Sequence, residues 1–224
     1  MPFGVDEAGK GPAIGAMVAA AVWVDDRSHL PGGIADSKDL SPTRREELAA
    51  RLRGDDRIAV GVRSTPPARI DAPETDMNGL AVEAHAGAIE AALEAVPTDG
   101  RPVVPGGLCD ACDTDADRFA RRVADACALE VRVDARHGAD GDDPLVGAAS
   151  VIAKVARDAH VDELAAEYGD VGSGYPSDPT TRAFLESYVA EEGELPRCAR
   201  RSWATCRDVL AAAAQTGLGD FGGE

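Results

Sequence analysis

Acidic residues stand at three places in this chain where chemistry could be done. They are the pair Asp6-Glu7, Asp110, and Asp140 within Ala139-Asp140-Gly141-Asp142-Asp143. The first two follow short apolar runs that read as strands, and strand ends are where α/β sheets place reactive groups. Four convergent carboxylates repel one another unless cations lie among them, and two divalent ions would balance four negative charges. Magnesium takes oxygen ligands and leaves positions open for phosphate oxygens. Two such ions about 3.5–4 Å apart activate water and stabilise the leaving oxygen of an in-line displacement. The chemistry implied is phosphodiester hydrolysis, which needs neither His nor Cys. Solvated edge charge is the competing reading, because adjacent strand residues face opposite sides and 40 residues are Asp or Glu.

Gly9-Lys10-Gly11 follows the first acidic pair directly. It is not a dinucleotide fingerprint, because the next glycine is Gly15 and a second strand, not a helix, is expected to follow. It lacks the G-K-[S/T] of a nucleotide-binding P-loop. Glycines beside a metal site let backbone groups approach a sugar–phosphate closely.

The elements that must position these residues follow from periodicity and punctuation. Strands are expected over 2–6, 16–24, 58–62, 103–108 and 129–133, and helices over 43–53, 78–96, 115–128 and 144–168. Ser41-Pro42 is a helix start, and Pro97 with Asp99-Gly100 closes the long Ala-rich helix. Three early strands followed by alternating helices and strands give an α/β fold with a mixed five-stranded sheet flanked by helices. After the Gly/Ser/Pro-rich stretch 169–180, short helices are expected near 179–192 and 204–215. The division expected is a catalytic domain over 1–170, a small helical extension over 171–214 and a flexible tail over 215–224.

Composition bounds the rest. The 224 residues carry a formal charge of −17, which by itself argues against a phosphate-rich partner. Only Lys10, Lys38 and Lys154 are lysines, against 20 arginines, and aromatics make up 4%. An acidic, lysine-poor, Ala-rich chain points to the cytoplasm of a salt-loving organism, where high salt screens self-repulsion. The longest apolar run, Ala16–Val24, is far shorter than a membrane span, and no export signal precedes the first strand. Five cysteines, an odd count, read as reduced thiols; Cys109 and Cys112 form a C-x-x-C that ends a strand instead of opening a helix. Among the four histidines only His137 lies near a candidate site, and it reads as a surface loop residue.

Five ordered motifs resemble those of ribonuclease HII, the type 2 ribonuclease H, above all its archaeal branch. They are Gly4-Val5-Asp6-Glu7-Ala8-Gly9-Lys10-Gly11-Pro12, Asp36-Ser37-Lys38-Asp39-Leu40-Ser41, Cys109-Asp110-Ala111, Ala139-Asp140 with Ala148-Ala149-Ser150-Val151-Ile152-Ala153-Lys154, and Gly172-Ser173-Gly174-Tyr175-Pro176-Ser177. The match runs from residue 4 to about residue 205. The resemblance implies a ribonuclease H-like fold and an endonuclease that cleaves RNA in RNA–DNA hybrids; a monomer is expected. It also implies incision 5′ of single ribonucleotides in duplex DNA, leaving 3′-hydroxyl and 5′-phosphate ends. By motif, Asp6, Glu7, Asp110 and Asp140 would hold two Mg²⁺ or Mn²⁺ ions, with Asp142 and Asp143 as alternatives for the fourth place. Gly9, Lys10, Gly11 and Tyr175 would read the 2′-hydroxyl at the RNA–DNA junction. That group is what separates RNA from DNA locally.

Ser150 and Lys154, four residues apart on a helix, would share a face toward phosphate, and Lys38 would be a second phosphate contact. Near the chain's end, Gln215, Leu218 and Phe221 resemble a sliding-clamp binding box, which folds on binding to insert Leu and Phe into an apolar pocket. Another two-metal nuclease of the same fold, or a silent hybrid-binding protein, are the alternatives. The type 3 ribonuclease is disfavoured because no binding domain precedes Asp6.

Overall fold

The computed structural model describes residues 2–34, 40–97 and 102–219, the side chains of 216–219 excepted. Five strands, β1 (Phe3–Ala8), β2 (Met17–Val24), β3 (Ile58–Thr65), β4 (Gly106–Asp110) and β5 (Arg132–Arg136), form one sheet in the order β3-β2-β1-β4-β5. β1 runs antiparallel to β2 and parallel to β4, and β4 runs parallel to β5. The expected mixed five-stranded sheet is therefore present. The helices are α1 (Pro42–Arg53), α2 (Pro67–Ile70), α3 (Met77–Glu94), α4 (Ala116–Ala126), α5 (Ala139–Asp142), α6 (Pro144–Tyr168), α7 (Pro179–Glu192) and α8 (Ala204–Gly219). Ser41 caps α1 by accepting from the Arg44 amide, as its Ser-Pro start demands.

Three differences from the sequence reading have local causes. β4 and β5 each begin three residues later than expected, at Gly106 and Arg132. Pro105 has no amide to give a ladder, and its carbonyl takes the Arg132 amide at 2.8 Å, so regular pairing starts one residue on. The acidic segment after β5 contains a single helical turn, α5, entered through Gly138 at φ +68°. α8 runs to Gly219, beyond the expected end at 215, so the first residues of the expected flexible tail are helical.

Two compact units divide the chain. The first comprises 1–8, 17–64 and 76–157 and holds nearly the whole sheet with α1, α3, α4, α5 and most of α6. One face of its sheet packs Ala20, Val22 and Val24 against Leu48, Ala49 and Leu52 of α1 and Leu145, Ala148 and Ile152 of α6. α3 crosses the opposite face, so close that a Cβ on Gly61 would lie 2.2 Å from the Ala88 carbonyl oxygen. The second unit comprises 9–16, 65–75 and 158–224. Its own core joins Ala13 and Ile14 to Leu164, Leu185, Val189, Leu195, Cys206 and Val209.

Gly4 sets how near α6 comes to β1. A Cβ there would lie 2.4 Å from the backbone carbon of Leu145 and the nitrogen of Val146. Backbone cannot swing aside as a side-chain tip can, so overpacking here costs about 1–3 kcal/mol or more. Gly4→Ala is expected to lower the denaturation midpoint accordingly in urea titrations at high salt; an unchanged midpoint would refute this close packing.

Candidate active site

Strand alternation decides which acids meet. On β1, position 4 faces α6 and so does position 6, whose carboxylate accepts a hydrogen bond from the Ser150 hydroxyl of that helix. Glu7 points the other way, and its Oε2 lies 2.8 Å from Nε2 of His85 on α3. Gly4 pairs with Leu108 across the parallel ladder, so two residues further along Asp6 and Asp110 are neighbours on the same face. The Asp110 Oδ1 accepts from the Ala139 amide at 2.9 Å, which ties α5 to the end of β4 and delivers Asp140. Carboxylate oxygens of Asp6, Asp110 and Asp140 consequently lie within 4.8 Å of one another, with Asp6 and Asp140 about 5% and 4% exposed.

Three of the four expected carboxylates thus converge directly. Glu7 is held on the far side of the pleat by a fully buried histidine that stands edge-on to Phe119 at 5.1 Å. Its charge still reaches the cluster, since it helps raise the affinity of both Asp6 and Asp110 for protons. The neighbouring alternatives are otherwise placed. Asp142 is exposed. Asp143 caps α6 through the Leu145 amide and pairs with Arg27, each at 2.9 Å.

Burial pushes the Asp6 carboxyl well above the usual carboxylate range, and the charges of Glu7 and Asp110 push the same way. Burial also raises Asp110, reinforced by Asp140 and Glu7 and opposed by the Ala139 amide. Such a cluster is stabilised either by protons or by cations. The donor set is all oxygen and anionic, which fits a hard divalent ion and excludes a thiolate or imidazole site.

Ser150 and Lys154 do share a face of α6, with the lysine Nζ donating to the serine Oγ at 2.8 Å. Ser150 is fully buried, between Lys154 and Asp6, so the pair stands behind the acidic cluster. Lys38 lies outside the described residues.

The second unit carries the glycine turn and Tyr175. Gly9 adopts φ +81°, a conformation that favours glycine. The ring of Tyr175, 43% exposed, comes within 3.7 Å of where a Gly11 Cβ would be. Ala13 donates to the Gly174 carbonyl at 2.8 Å, joining the two segments. Thr181 fixes the 172–178 loop by accepting from the Gly174 amide and donating to the Val171 carbonyl, both at 2.9 Å. Gln215 is exposed on α8, Leu218 lies in the same helix, and Phe221 falls outside the described residues.

Sequence reasoning missed His85 and Arg200. His85 is the one charged or titratable residue among the buried positions of α3, a signal available from the Ala-rich pattern around it. Arg200 is fully buried in the second unit, donating to backbone carbonyls near the glycine turn. Nothing in a chain of 20 arginines marks it out.

A mixed sheet in this order defines a ribonuclease H-like hydrolase, and the buried acidic cluster shared between β1, β4 and the segment before α6 fits a metal site. The chain belongs to the ribonuclease HII family, whose model, Ribonuclease HII, matches residues 3–206. It is 63% identical over 221 residues to ribonuclease HII of Haloarcula marismortui, covering 99% of this chain and 100% of that one. Among solved structures, ribonuclease H2 of Pyrococcus horikoshii OT3 aligns with a TM-score of 0.83 at 36% identity, over 95% of this chain and 98% of that one. A PCNA:RNase HII complex from Archaeoglobus fulgidus aligns with a TM-score of 0.79 at 37% identity, over 93% and 96% of the respective chains. The protein is accordingly an endoribonuclease acting on RNA in RNA–DNA hybrids, from a metal-dependent family.

The raised carboxyls give a signed prediction. Without metal, Asp6 and Asp110 bind protons more tightly folded than unfolded, so their contribution to stability is present at low pH and lost as pH rises through their folded values. Asp6→Asn should therefore melt higher than metal-free wild type at neutral pH, with the gap closing toward about pH 4. Added Mg²⁺ should raise the wild-type melting temperature and leave the variant nearly unmoved. Equal metal-free curves at both pH values would refute the repulsion.

Proposed function

We propose that the protein incises 5′ of single ribonucleotides in duplex DNA, as well as within longer RNA–DNA hybrids, leaving 3′-hydroxyl and 5′-phosphate ends. The observation that carries this reading is the buried convergence of Asp6, Asp110 and Asp140 on one sheet face. These three would hold one Mg²⁺ or Mn²⁺ ion. Glu7, the adjacent acid whose charge acts on Asp6, would be the fourth carboxylate and would help hold a second ion. When bound, the ions supply an activated water and neutralise charge on the leaving oxygen.

The chain's own residues do the remaining work. Ser150 holds the Asp6 carboxylate in its orientation, and Lys154 holds Ser150. In the second unit the backbone of Gly9, Lys10 and Gly11 reads the 2′-hydroxyl, and the exposed Tyr175 ring stacks on the sugar of the junction. Lys10 and Lys38 supply positive charge for phosphates in an otherwise acidic chain, and Lys154 supplies it behind the acidic cluster.

In this assignment residues 1–170 carry the chemistry and 171–214 support substrate recognition. Residues 215–224 engage a sliding clamp through Gln215, Leu218 and Phe221, in keeping with the PCNA complex of the Archaeoglobus relative. The working environment proposed is a salt-rich cytoplasm, supported by the charge of −17 and the Haloarcula relative. Among the described residues no helix is long and apolar enough to cross a membrane.

The test is cleavage of duplex DNA containing one ribonucleotide, with Mg²⁺ or Mn²⁺ at high salt. A single cut 5′ of the ribonucleotide is expected, and its absence from an enzyme active on hybrids would refute the junction reading. Asp110→Asn and Asp140→Asn should each slow cutting on the order of a thousandfold, the several kcal/mol a metal centre contributes. For the tail, Phe221→Ala should weaken capture by a sliding clamp without changing the cleavage rate; undiminished capture would dismiss the clamp box.

A further inference from the structure

Among the described residues, Arg200 is the largest fully buried side chain. A buried guanidinium is costly unless its donors are satisfied. Here they go to backbone carbonyls: Nη2 donates to Gly9 at 2.6 Å, Nη1 to Lys10 at 2.9 Å, and Nε to Gly15 at 2.9 Å. The Trp203 indole Nε1 donates to the Gly11 carbonyl at 3.1 Å. The Arg200 guanidinium lies 5.1 Å from the centroid of the Trp203 ring, and its own amide donates to the Ala13 carbonyl at 2.8 Å. Three consecutive carbonyls, those of residues 9, 10 and 11, are thereby drawn onto one Arg-Trp pair within a single compact unit.

We infer that Arg200 and Trp203 are positioning residues that fix the Gly9-Lys10-Gly11 backbone for recognition of the ribose 2′-hydroxyl. The inference deepens the proposed function and rests on its assignment of this turn to the junction. With its carbonyls engaged, the turn meets an incoming ribose–phosphate through amide donors, and donors are what a hydroxyl or phosphate oxygen accepts from. The guanidinium behind them adds a positive charge that is buried, so salt screens it less than a surface lysine. Recognition then depends on backbone held from behind, and the side chain at position 10 becomes secondary. The same contacts give the C-terminal segment a task beyond packing.

The readout is discrimination between two ligands. In an Asp110→Asn background, which prevents cutting, fluorescence anisotropy measures binding of duplex DNA with one ribonucleotide and of the same duplex in all-DNA form. The Asp110→Asn protein should prefer the ribonucleotide-containing duplex; equal binding of the two would defeat the junction reading itself and leave the clamp on the turn aside. Given that preference, adding Trp203→Phe keeps the ring but deletes the indole donor, and should cut the ratio about fivefold, the worth of one neutral hydrogen bond. Adding Arg200→Gln removes charge-assisted bonds and should cut it about tenfold or more. Where circular dichroism shows Arg200→Gln unfolded, Trp203→Phe is the deciding variant. A purely structural role would weaken both ligands equally. An unchanged ratio in a folded Trp203→Phe protein therefore overturns the inference.

Discussion

The organising constraint is the mutual repulsion of buried carboxylates. Asp6 and Asp140 are almost wholly removed from water, and Asp110 lies between strand end and loop with its oxygens in the same small volume. In a low-dielectric setting such a group is tolerable only with positive charge or protons among its members. Much of the first unit serves to hold it in place. The parallel register of β1 and β4 sets Asp6 beside Asp110, Gly4 lets α6 come down on the strand, and the Ala139 amide anchors the turn that carries Asp140. Behind Asp6 stand Ser150 and Lys154; behind Glu7 stands His85. Ser150 and the Nε2 of His85 thus each engage one of these acids directly.

The acidic cluster and the turn and loop proposed to read the substrate fall in different compact units. The carboxylates belong to one, whereas the glycine turn, the Tyr175 loop, Arg200 and Trp203 belong to the other. The chain passes from the first to the second between Ala8 and Gly9. In the proposed assignment this division builds the metal site on a rigid sheet and recognition on loops held by side-chain-to-backbone bonds. In the second unit the holding is done largely by Arg200, Trp203 and Thr181, all acting on main chain.

The sheet and the major helices were legible because each rests on local signals: apolar runs of strand length, a Ser-Pro start at α1, and long Ala-rich periodic stretches. The identity of three converging acids was also legible, though only order along the chain and motif resemblance separated Asp140 from Asp142 and Asp143. The structure separates them physically, by giving Asp143 a capping role and an arginine partner. What could not be read is everything that depends on side-chain direction across the fold. Alternation warns that Asp6 and Glu7 diverge, but nothing local says that His85, 78 residues later, will meet Glu7. Ser150 has the right spacing to Lys154, yet its burial against Asp6 follows from how near α6 approaches β1. Arg200 is invisible for the same reason, because its partners are carbonyls, which every residue has.

The charge of −17 is compatible with a phosphate-binding enzyme once its placement is considered. Three acids converge in a cluster that fits a cation, and a buried arginine stands behind the turn proposed to meet the substrate. The most direct test of this account is anomalous diffraction from crystals equilibrated with Mn²⁺ at high salt. The strongest anomalous peak should lie among the carboxylates of Asp6, Asp110 and Asp140, within about 2.0–2.4 Å of their oxygens as expected for a hard divalent ion. Manganese bound only elsewhere, with this cluster empty, would contradict it.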